Sequence, residues 1–151
     1  KDNNICMVYK PHFHELKNLL PYENEFTNII LAKDQIAFGD PYSYLHYFDL
    51  MIGDYSSVVY DFLCSNKPVV LFPYDLEEYK NMDAGLFDHY ETMPAGPFCF
   101  TWVEVIKETV NLLSDDTWKE KRSIAKKVFH PFDDGRNCER VYNAVINEIR
   151  K

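Results

Sequence analysis

The fold of this chain is decided by the stretch Leu50-Met51-Ile52-Gly53-Asp54-Tyr55-Ser56-Ser57. Its first four residues are short and apolar, which is typical of a buried strand in a parallel sheet. Apolar residues then recur at helical spacing, so the pattern predicts a strand that turns directly into a helix over Ser56–Ser65. Two serines at a helix start offer hydroxyls and unpaired N–H groups beside the positive end of the helix dipole. The segment alone fits either a phosphate site or a helix cap without a ligand.

Strand and helix signals alternate along most of the chain. The predicted strands are Ile5–Tyr9, Asn28–Ala32, Leu50–Gly53 and Val69–Phe72. The predicted helices are His14–Leu20, Tyr42–Phe48, Ser56–Ser65, Leu76–Lys80, Trp102–Leu113, Thr117–Val128 and Asn137–Arg150. Strands with almost no polar alternation, separated by helices, indicate an α/β fold: a Rossmann-like parallel sheet with helices on both faces. We predict one domain over residues 1–151, with a long ordered loop between Pro73 and Phe100.

The helical periods also predict which side chains point inward. In the helix after Thr101, a plausible cap, the inward residues would be Val103, Ile106, Val110 and Leu113. In the last helix they would be Val141, Val145 and Ile149. These two faces are therefore predicted to belong to the core.

Composition limits the function classes. The net charge is −8 over 151 residues, and we interpret the one basic group as a solvated helix face rather than a nucleic-acid patch. That group is Lys119, Lys121, Arg122, Lys126 and Lys127. No apolar run approaches the ~20 residues of a membrane span. The chain begins with Lys and a strand follows almost at once, which we interpret as a fragment of a longer protein.

The cysteines indicate the redox setting. The chain has no C-x-x-C pair, and its four cysteines are Cys6, Cys64, Cys99 and Cys138. Three of them lie in or beside apolar segments, which favours reduced, buried thiols and a cytoplasmic protein.

Polar residues follow three of the predicted strands. They form the segments Lys10-Pro11-His12-Phe13-His14, Asp54-Tyr55-Ser56-Ser57 and Pro73-Tyr74-Asp75. Ligands of open parallel sheets bind at the carboxyl ends of the strands, so we expect the three segments to converge there. His12 follows a proline that fixes the strand exit, so it is a candidate acid, base or phosphate ligand. A hydrogen-bonded structural histidine is the alternative.

A second candidate is the turn Asp133-Asp134-Gly135-Arg136, followed by Arg140. Gly135 permits a tight turn, and either arginine can fork onto phosphate oxygens. The alternative is a capped helix start with Arg140 on a solvated face.

Several other sites are disfavoured by missing motifs. The sequence has no H-x-x-x-H, H-E-x-x-H or D-x-D arrangement, so we expect no metal site and no cofactor. It also lacks a Walker loop and G-x-G-x-x-G. A serine hydrolase that uses Ser56 or Ser57 is disfavoured, because the second glycine of the nucleophile elbow is missing.

Taken together, the segments resemble the donor-binding, C-terminal half of the CDP-glycerol glycerophosphotransferase family of teichoic-acid primases and polymerases. The resemblance spans roughly residues 5–146 and keeps the order of four segments. They are Tyr9-Lys10-Pro11-His12; Asp49 to Ser57 with Tyr60-Asp61-Phe62; Lys67-Pro68 to Tyr79; and Phe132-Asp133-Asp134-Gly135-Arg136 with Glu139-Arg140. Pro94-Ala95-Gly96-Pro97 is similar to a Pro-Gly-Pro element of the family.

The resemblance implies one half of a two-domain GT-B fold and a specific reaction. Glycerol phosphate, or a related polyol phosphate, would move from a CDP-activated donor to an acceptor hydroxyl, with release of CMP. His12 would be catalytic or hold the diphosphate, and the serines would receive the donor phosphate. The implied substrate-binding residues are Lys10, Asp54, Ser56, Ser57, Asp134, Gly135, Arg136 and Arg140. Arg136 stands where the family often has lysine, so the positive charge is kept, but the resemblance does not fix how the side chain bonds to phosphate.

The resemblance also implies what would lie outside these residues. The family takes a second histidine and most of its acceptor site from the other half of the enzyme, so we expect the fragment to be inactive alone. The acceptor would be a polymer or a lipid-linked molecule, and the parent would be peripheral at the inner face of the membrane. Two alternatives remain: the donor half of a glycosyltransferase that uses a nucleoside diphosphate sugar, or a non-catalytic binding module. Such glycosyltransferases commonly have a glutamate that contacts the ribose, whereas the corresponding region here offers Asp61 and no clear acidic ribose clamp.

Overall fold

The structure is a computed structural model, and it describes residues 4–11, 16–22, 25–32, 41–81, 86, 90–92 and 94–150. The chain divides into two compact units, residues 1–47 and 48–151. Each unit contains one pair of parallel strands. The α/β class predicted from the sequence is confirmed.

The first unit is built on the pair β1 (Met7–Tyr9) and β2 (Ile29–Leu31). The strands are parallel, with Met7 opposite Ile29. Between them lies α1 (Leu16–Leu19), which continues as a 3-10 turn over Leu20–Tyr22. Two further 3-10 turns, Pro41–Ser43 and Leu45–Tyr47, replace the single helix predicted there.

The second unit is built on the pair β3 (Met51–Gly53) and β4 (Val69–Leu71). All three residues of β4 are buried, as expected of a strand with neighbours on both edges. On its other edge, the Leu71 N–H donates to the Pro97 carbonyl at 2.9 Å, and the Cys99 N–H donates to the Leu71 carbonyl at 2.7 Å. The chain therefore leaves the sheet after β4 and returns to the same strand at Pro97.

Gly96 is required for this return. A Cβ atom on Gly96 would lie 1.8 Å from the carbonyl oxygen of Val69. Because backbone cannot yield as a side chain can, only glycine fits this close approach. The Pro94 to Pro97 element singled out in the sequence therefore has a packing role.

The helices of the second unit follow the predicted order. They are α2 (Val58–Phe62, continued as a 3-10 turn over Leu63–Ser65), α3 (Leu76–Lys80), α4 (Trp102–Ser114), α5 (Lys119–Phe129) and α6 (Asn137–Ile149). The predicted cap of α4 is confirmed: the Thr101 hydroxyl accepts from the Glu104 N–H at 3.3 Å, and Glu104 accepts from the Thr101 N–H at 3.0 Å. This reciprocal pair is a capping box.

The predicted inward face of α4 is wrong. Its buried residues are Val105, Thr109 and Leu112, and Val105 and Leu112 pack with Val70 and Cys99 in the core. Val103 and Ile106 are instead 78% and 60% exposed. The helix carries apolar residues on two adjoining faces, and a helical period alone does not say which face meets the sheet.

The predicted inward face of α6 is also wrong. No described residue of α6 is buried, and Val141, Val145 and Ile149 are all more than half exposed. The helix itself is confirmed, but no described residue of this chain covers its apolar face.

Two predictions from composition also need correction. Arg122 is fully buried rather than solvated; it pairs with Asp116 and donates to the Asn66 carbonyl at 3.1 Å. Its aliphatic stem and forked head suit a buried ion pair that joins α5 to the end of α2.

The prediction of buried cysteines is wrong for three of the four. Cys6, Cys64 and Cys138 are exposed. Cys99 is buried, and burial raises the pKa of its thiol to about 11. Among the described helices, none is both long enough and apolar enough for a membrane span.

Candidate functional site

The turn between β3 and α2 is the centre of the site. Gly53 ends β3, and a Cβ atom there would lie 2.4 Å from Cγ2 of Val59, which is fully buried in α2. The glycine thus lets the helix pack directly against the strand exit. Asp54 then accepts the Ser56 N–H at 2.7 Å through Oδ1. This local bond closes the turn and fixes the direction in which the two serines leave the sheet.

Tyrosine side chains connect this turn to two other segments of the chain. The Tyr55 hydroxyl donates to the Asp75 carboxylate, with oxygen distances of 3.1 and 3.2 Å, and the Tyr55 ring stacks on Tyr79 at 3.5 Å. The Tyr90 hydroxyl donates to the Asp54 carbonyl at 3.3 Å. Burial and the neighbouring Asp75 raise the pKa of Tyr55, so it remains a hydrogen-bond donor at neutral pH. The structure therefore brings together the polar segments that follow β3 and β4.

The serines themselves differ from the sequence expectation in one respect. The sequence predicts unpaired N–H groups at this helix start, but the Ser56 N–H donates to the Asp54 carboxylate. Ser57 is the N-cap of α2 and its side chain makes no cap bond. Both serines are exposed, and within the described residues neither hydroxyl has a hydrogen-bond partner. Since α2 has only five residues, its dipole is small, and the exposed hydroxyls are donors that this turn offers.

The second turn lies before α6. Gly135 has φ +71°, the left-handed conformation that glycine adopts without strain, so the predicted tight turn is confirmed. Asp134 accepts the Arg136 N–H at 3.1 Å and the Arg140 guanidinium at 2.9 Å. These bonds lower the pKa of Asp134, the Arg140 bond being the larger cause.

Both arginines of this turn already have carboxylate partners. Arg136 forms two bonds to Glu139, at 2.8 and 2.9 Å. Arg140 bonds to Asp134 and also lies over the Phe132 ring, 4.2 Å from its centroid. Exposed pairs of this kind contribute little to stability because solvent screens them, so a strongly charged ligand can replace the carboxylates. Arg136, Glu139, Arg140 and Asn143 line an open depression of about 230 Å³.

The segment before this turn is anchored to α2. His130 Nε2 lies 2.8 Å from the Tyr60 carbonyl, and because a carbonyl only accepts, this nitrogen is the protonated one. The Phe129 and Tyr60 rings meet at 4.0 Å, and Lys126 pairs with Asp133 at 2.6 Å. The first turn begins α2 and the second is tied to α2 through His130. The sequence assigns no role to His130, which matches no motif, or to the side chain of Tyr55, although Tyr55 lies within the quoted segment.

The remaining predicted residues belong to the first unit. Lys10 follows β1 and is exposed. His12 lies outside the described residues, so its role stays a prediction. In the part of the chain that the structure describes, no cluster of three or more histidine, cysteine or acidic side chains could hold a metal ion.

The parallel strands, the helices between them and a polar turn at the carboxyl end of β3 define a Rossmann-like α/β domain. The chain belongs to the family CDP-Glycerol:Poly(glycerophosphate) glycerophosphotransferase, whose sequence profile matches residues 1–147. It is 30% identical to the teichoic acid poly(glycerol phosphate) polymerase of Bacillus subtilis strain 168, over 95% of this chain and 19% of that protein.

Other relatives support the same family. The teichoic acid poly(ribitol-phosphate) polymerase of Bacillus spizizenii (strain ATCC 23059 / NRRL B-14472 / W23) is 29% identical over 96% of this chain and 20% of its own length. The solved structure of the wall teichoic acid polymerase TagF is similar in fold, with a TM-score of 0.70 and 24% identity over 96% of this chain and 35% of that one. This chain therefore spans about a fifth of the length of these curated relatives.

Proposed function

We propose that this chain is the donor-binding part of a glycerophosphotransferase. The parent enzyme would transfer glycerol phosphate, or a related polyol phosphate, from a CDP-activated donor to a hydroxyl of a teichoic acid or another surface polymer. Family membership supports the transfer. The donor-binding role rests on one observation: two exposed serine hydroxyls without partners in the described residues stand on a turn that is held in place from three directions.

In this proposal the turn after β3 receives the diphosphate. Ser56 and Ser57 donate their hydroxyls to phosphate oxygens, and a hydroxyl donor to a charged acceptor makes a strong hydrogen bond. Asp54 shapes the turn and keeps its carboxylate on the Ser56 N–H, so it need not face the anion. Tyr55 and Tyr90 hold the backbone in place before the ligand arrives, which lowers the entropy lost on binding.

The turn before α6 supplies positive charge. Arg136 and Arg140 exchange their carboxylates for phosphate oxygens, which they can contact in the bidentate manner of a guanidinium. Before the ligand binds, Asp134 sets the direction of Arg140 through their bond, and Gly135 sets the course of the backbone through its left-handed conformation. The diphosphate would then lie between hydroxyl donors on one side and guanidinium groups on the other.

The transfer itself would proceed at the phosphorus that carries the polyol. The acceptor oxygen forms a bond to this phosphorus while the bond to the CMP oxygen breaks, so CMP leaves with the bonding electrons. A base takes the acceptor proton, and His12 is proposed for this role or for holding the diphosphate; Lys10 is proposed as a further donor-binding residue. The second histidine and the acceptor site would come from another part of the parent, which would work in the cytoplasm at the inner face of the membrane.

Calorimetric titration of CDP-glycerol tests the site. Ser57→Ala is expected to weaken binding about tenfold or more, since a hydrogen bond to a charged group contributes about 1.5–3 kcal/mol. Ser114→Ala makes the same chemical change at an exposed position at the end of α4 and should leave the affinity unchanged. Equal affinity of the wild type and Ser57→Ala would contradict the proposed role of this serine.

The same titration with other ligands separates the alternatives. If CDP-ribitol binds as tightly as CDP-glycerol, the site accepts more than one polyol phosphate donor. Preference for UDP-glucose would favour a sugar transferase. A folded chain that binds none of them would favour a non-catalytic module. We expect binding without turnover, and transferase activity of the isolated 151 residues would contradict that expectation.

A further inference from the structure

Three side chains of α5 and its C-terminal cap donate to backbone carbonyls of α2 and of the 3-10 turn that continues it. The pairs are Arg122 to Asn66 at 3.1 Å, Lys126 to Cys64 at 3.3 Å and His130 to Tyr60 at 2.8 Å. The three side chains, which we call the α5 donors, recur every four residues and so share one face of the helix. Their acceptors follow in the reverse order along the chain. The α5 donors therefore fix the direction and register of α5 along α2.

His130 is the α5 donor whose acceptor lies nearest in the chain to the two serines. The Tyr60 N–H donates to the Ser57 carbonyl at 3.0 Å, and the Tyr60 carbonyl accepts from His130. One residue, Tyr60, thus links the backbone of the first turn to the His130 side chain. The Tyr60 side chain is buried and its ring meets Phe129 at 4.0 Å, so this link is held on both sides by packing.

The same segment leads into the second turn. Lys126 lies one helical turn before His130 and pairs with Asp133 at 2.6 Å, so the residues on both sides of His130 are tied to each other. Asp133 is the first residue of the second turn. These contacts act on the backbone that enters the turn. The side chains of Arg136 and Arg140 can still exchange partners, because their own ion pairs are exposed.

We propose that His130 is a positioning residue for the donor, which sets the distance between the serines and the two arginines. The inference rests on the proposed function, in which one diphosphate contacts both turns. Two sets of donors can bind one anion together only if their separation fits it, and a misplacement of about 1 Å is enough to lose much of the gain. A second turn that is held in place beforehand also loses less entropy when the ligand binds.

Calorimetric titration of CDP-glycerol into the full-length protein tests the inference with two amide variants. His130→Gln places an amide N–H close to the position of Nε2 and should keep the dissociation constant within about twofold of the wild-type value. His130→Asn has the same amide on a side chain that is one methylene shorter. It should not reach the Tyr60 carbonyl and should weaken binding about tenfold. Thermal unfolding of each variant establishes that it is folded at the temperature of the titration.

A background without the two arginines separates positioning from a general loss of structure. When Arg136 and Arg140 are both alanine, no guanidinium remains to be placed. His130→Asn should then weaken binding by less than about twofold further, because the effects of coupled residues are not additive. An equal tenfold loss in both backgrounds would overturn the inference, because His130 would then act on the donor by a route that does not involve the arginines.

Lys126→Ala provides a second test that does not depend on the folding of the His130 variants. It removes the bonds to the Cys64 carbonyl and to Asp133 and should weaken binding about threefold, because the second turn is held less firmly. Lys127→Ala removes the neighbouring lysine, which is exposed, and should leave the affinity unchanged. Equal affinities of these two variants would count against the inference.

Failure of this inference is distinguishable from failure of the proposed function. If replacement of both arginines leaves the affinity for CDP-glycerol unchanged, or if the wild type does not bind it, the proposed function fails and the role of His130 fails with it. If the arginines matter but His130→Asn binds as tightly as the wild type, only the role of His130 is overturned. Equal losses for His130→Gln and His130→Asn would also overturn it, because the bond to Tyr60 would then be irrelevant.

Discussion

The two turns of the candidate site both begin with an aspartate but are held in different ways. The turn at 54–57 is fixed by the core: Gly53 lies against buried Val59, and Tyr55 bonds to Asp75. The turn at 133–136 is held mainly by exposed ion pairs with which solvent and ligands compete. The difference indicates that the first turn is preformed, whereas the second turn can adjust if the proposed donor binds.

The largest expected effect is at the fixed turn. Gly53→Ala would place a Cβ atom 2.4 Å from Val59 Cγ2, so α2 must move away from the strand, at a cost of about 1–3 kcal/mol. Urea unfolding would measure the loss. A change below about 0.5 kcal/mol would mean that α2 relaxes freely, and the contrast between the two turns would then be wrong.

At the adjustable turn, Gly135→Ala is expected to destabilise the protein by about 1 kcal/mol. Among the described residues, no atom lies within 4 Å of the point that the new Cβ atom would occupy, so the whole effect comes from the positive φ of the backbone. Gly135→Asn is the matched variant, because asparagine tolerates the left-handed region better than alanine. Equal losses of unfolding free energy in urea for the two variants would show that the effect is not conformational.

Removal of the tyrosine brace should have a smaller effect. Tyr55→Phe keeps the stack on Tyr79 and deletes the bonds to Asp75, which should cost about 0.5–1 kcal/mol. Tyr142→Phe, at an exposed ring, is the control and should be neutral. We also expect Tyr55→Phe to weaken CDP-glycerol binding, since the serines would be less well oriented. Unchanged binding would argue that the turn keeps its shape without the brace.

The smallest effect is the acid response of the adjustable turn. Arg140 and the Arg136 N–H lower the pKa of Asp134, so the bonds stabilise the folded state above the ordinary aspartate pKa and are lost as the pH falls through the lowered value. The wild type should therefore lose slightly more stability than Asp134→Asn as the pH falls from about 4 to about 2. Thermal unfolding across this range would measure the difference, and parallel curves would show that the pair contributes nothing.

The sequence predicts the order and type of the elements because short apolar strands and helical periods are local signals. It does not predict which face of α4 is buried, because both of its faces are apolar and the choice depends on the sheet that the helix meets. The prediction for Arg122 is wrong for a similar reason: its partners, Asp116 and the Asn66 carbonyl, are brought to it only by the fold.

For the site, local turn chemistry is again the predictable part. The tight turn at Gly135 and the strand-to-helix turn after Gly53 are both expected and both found. The brace from Tyr55 to Asp75 joins residues 20 positions apart, and the His130 contact to Tyr60 joins residues 70 apart. Contacts over such separations follow from the packed structure and leave no periodic signal in the sequence.

The pairing of β4 with Pro97 to Cys99 has a consequence for how the family can vary. The chain departs from β4 at Phe72 and comes back beside the same strand at Pro97, so the intervening segment begins and ends at fixed neighbouring points. Doubling the length of such a loop costs only about 0.6 kcal/mol in closure entropy. Insertions between Lys80 and Pro94 that leave buried Tyr90 on the Asp54 carbonyl can therefore accumulate without unfolding the sheet.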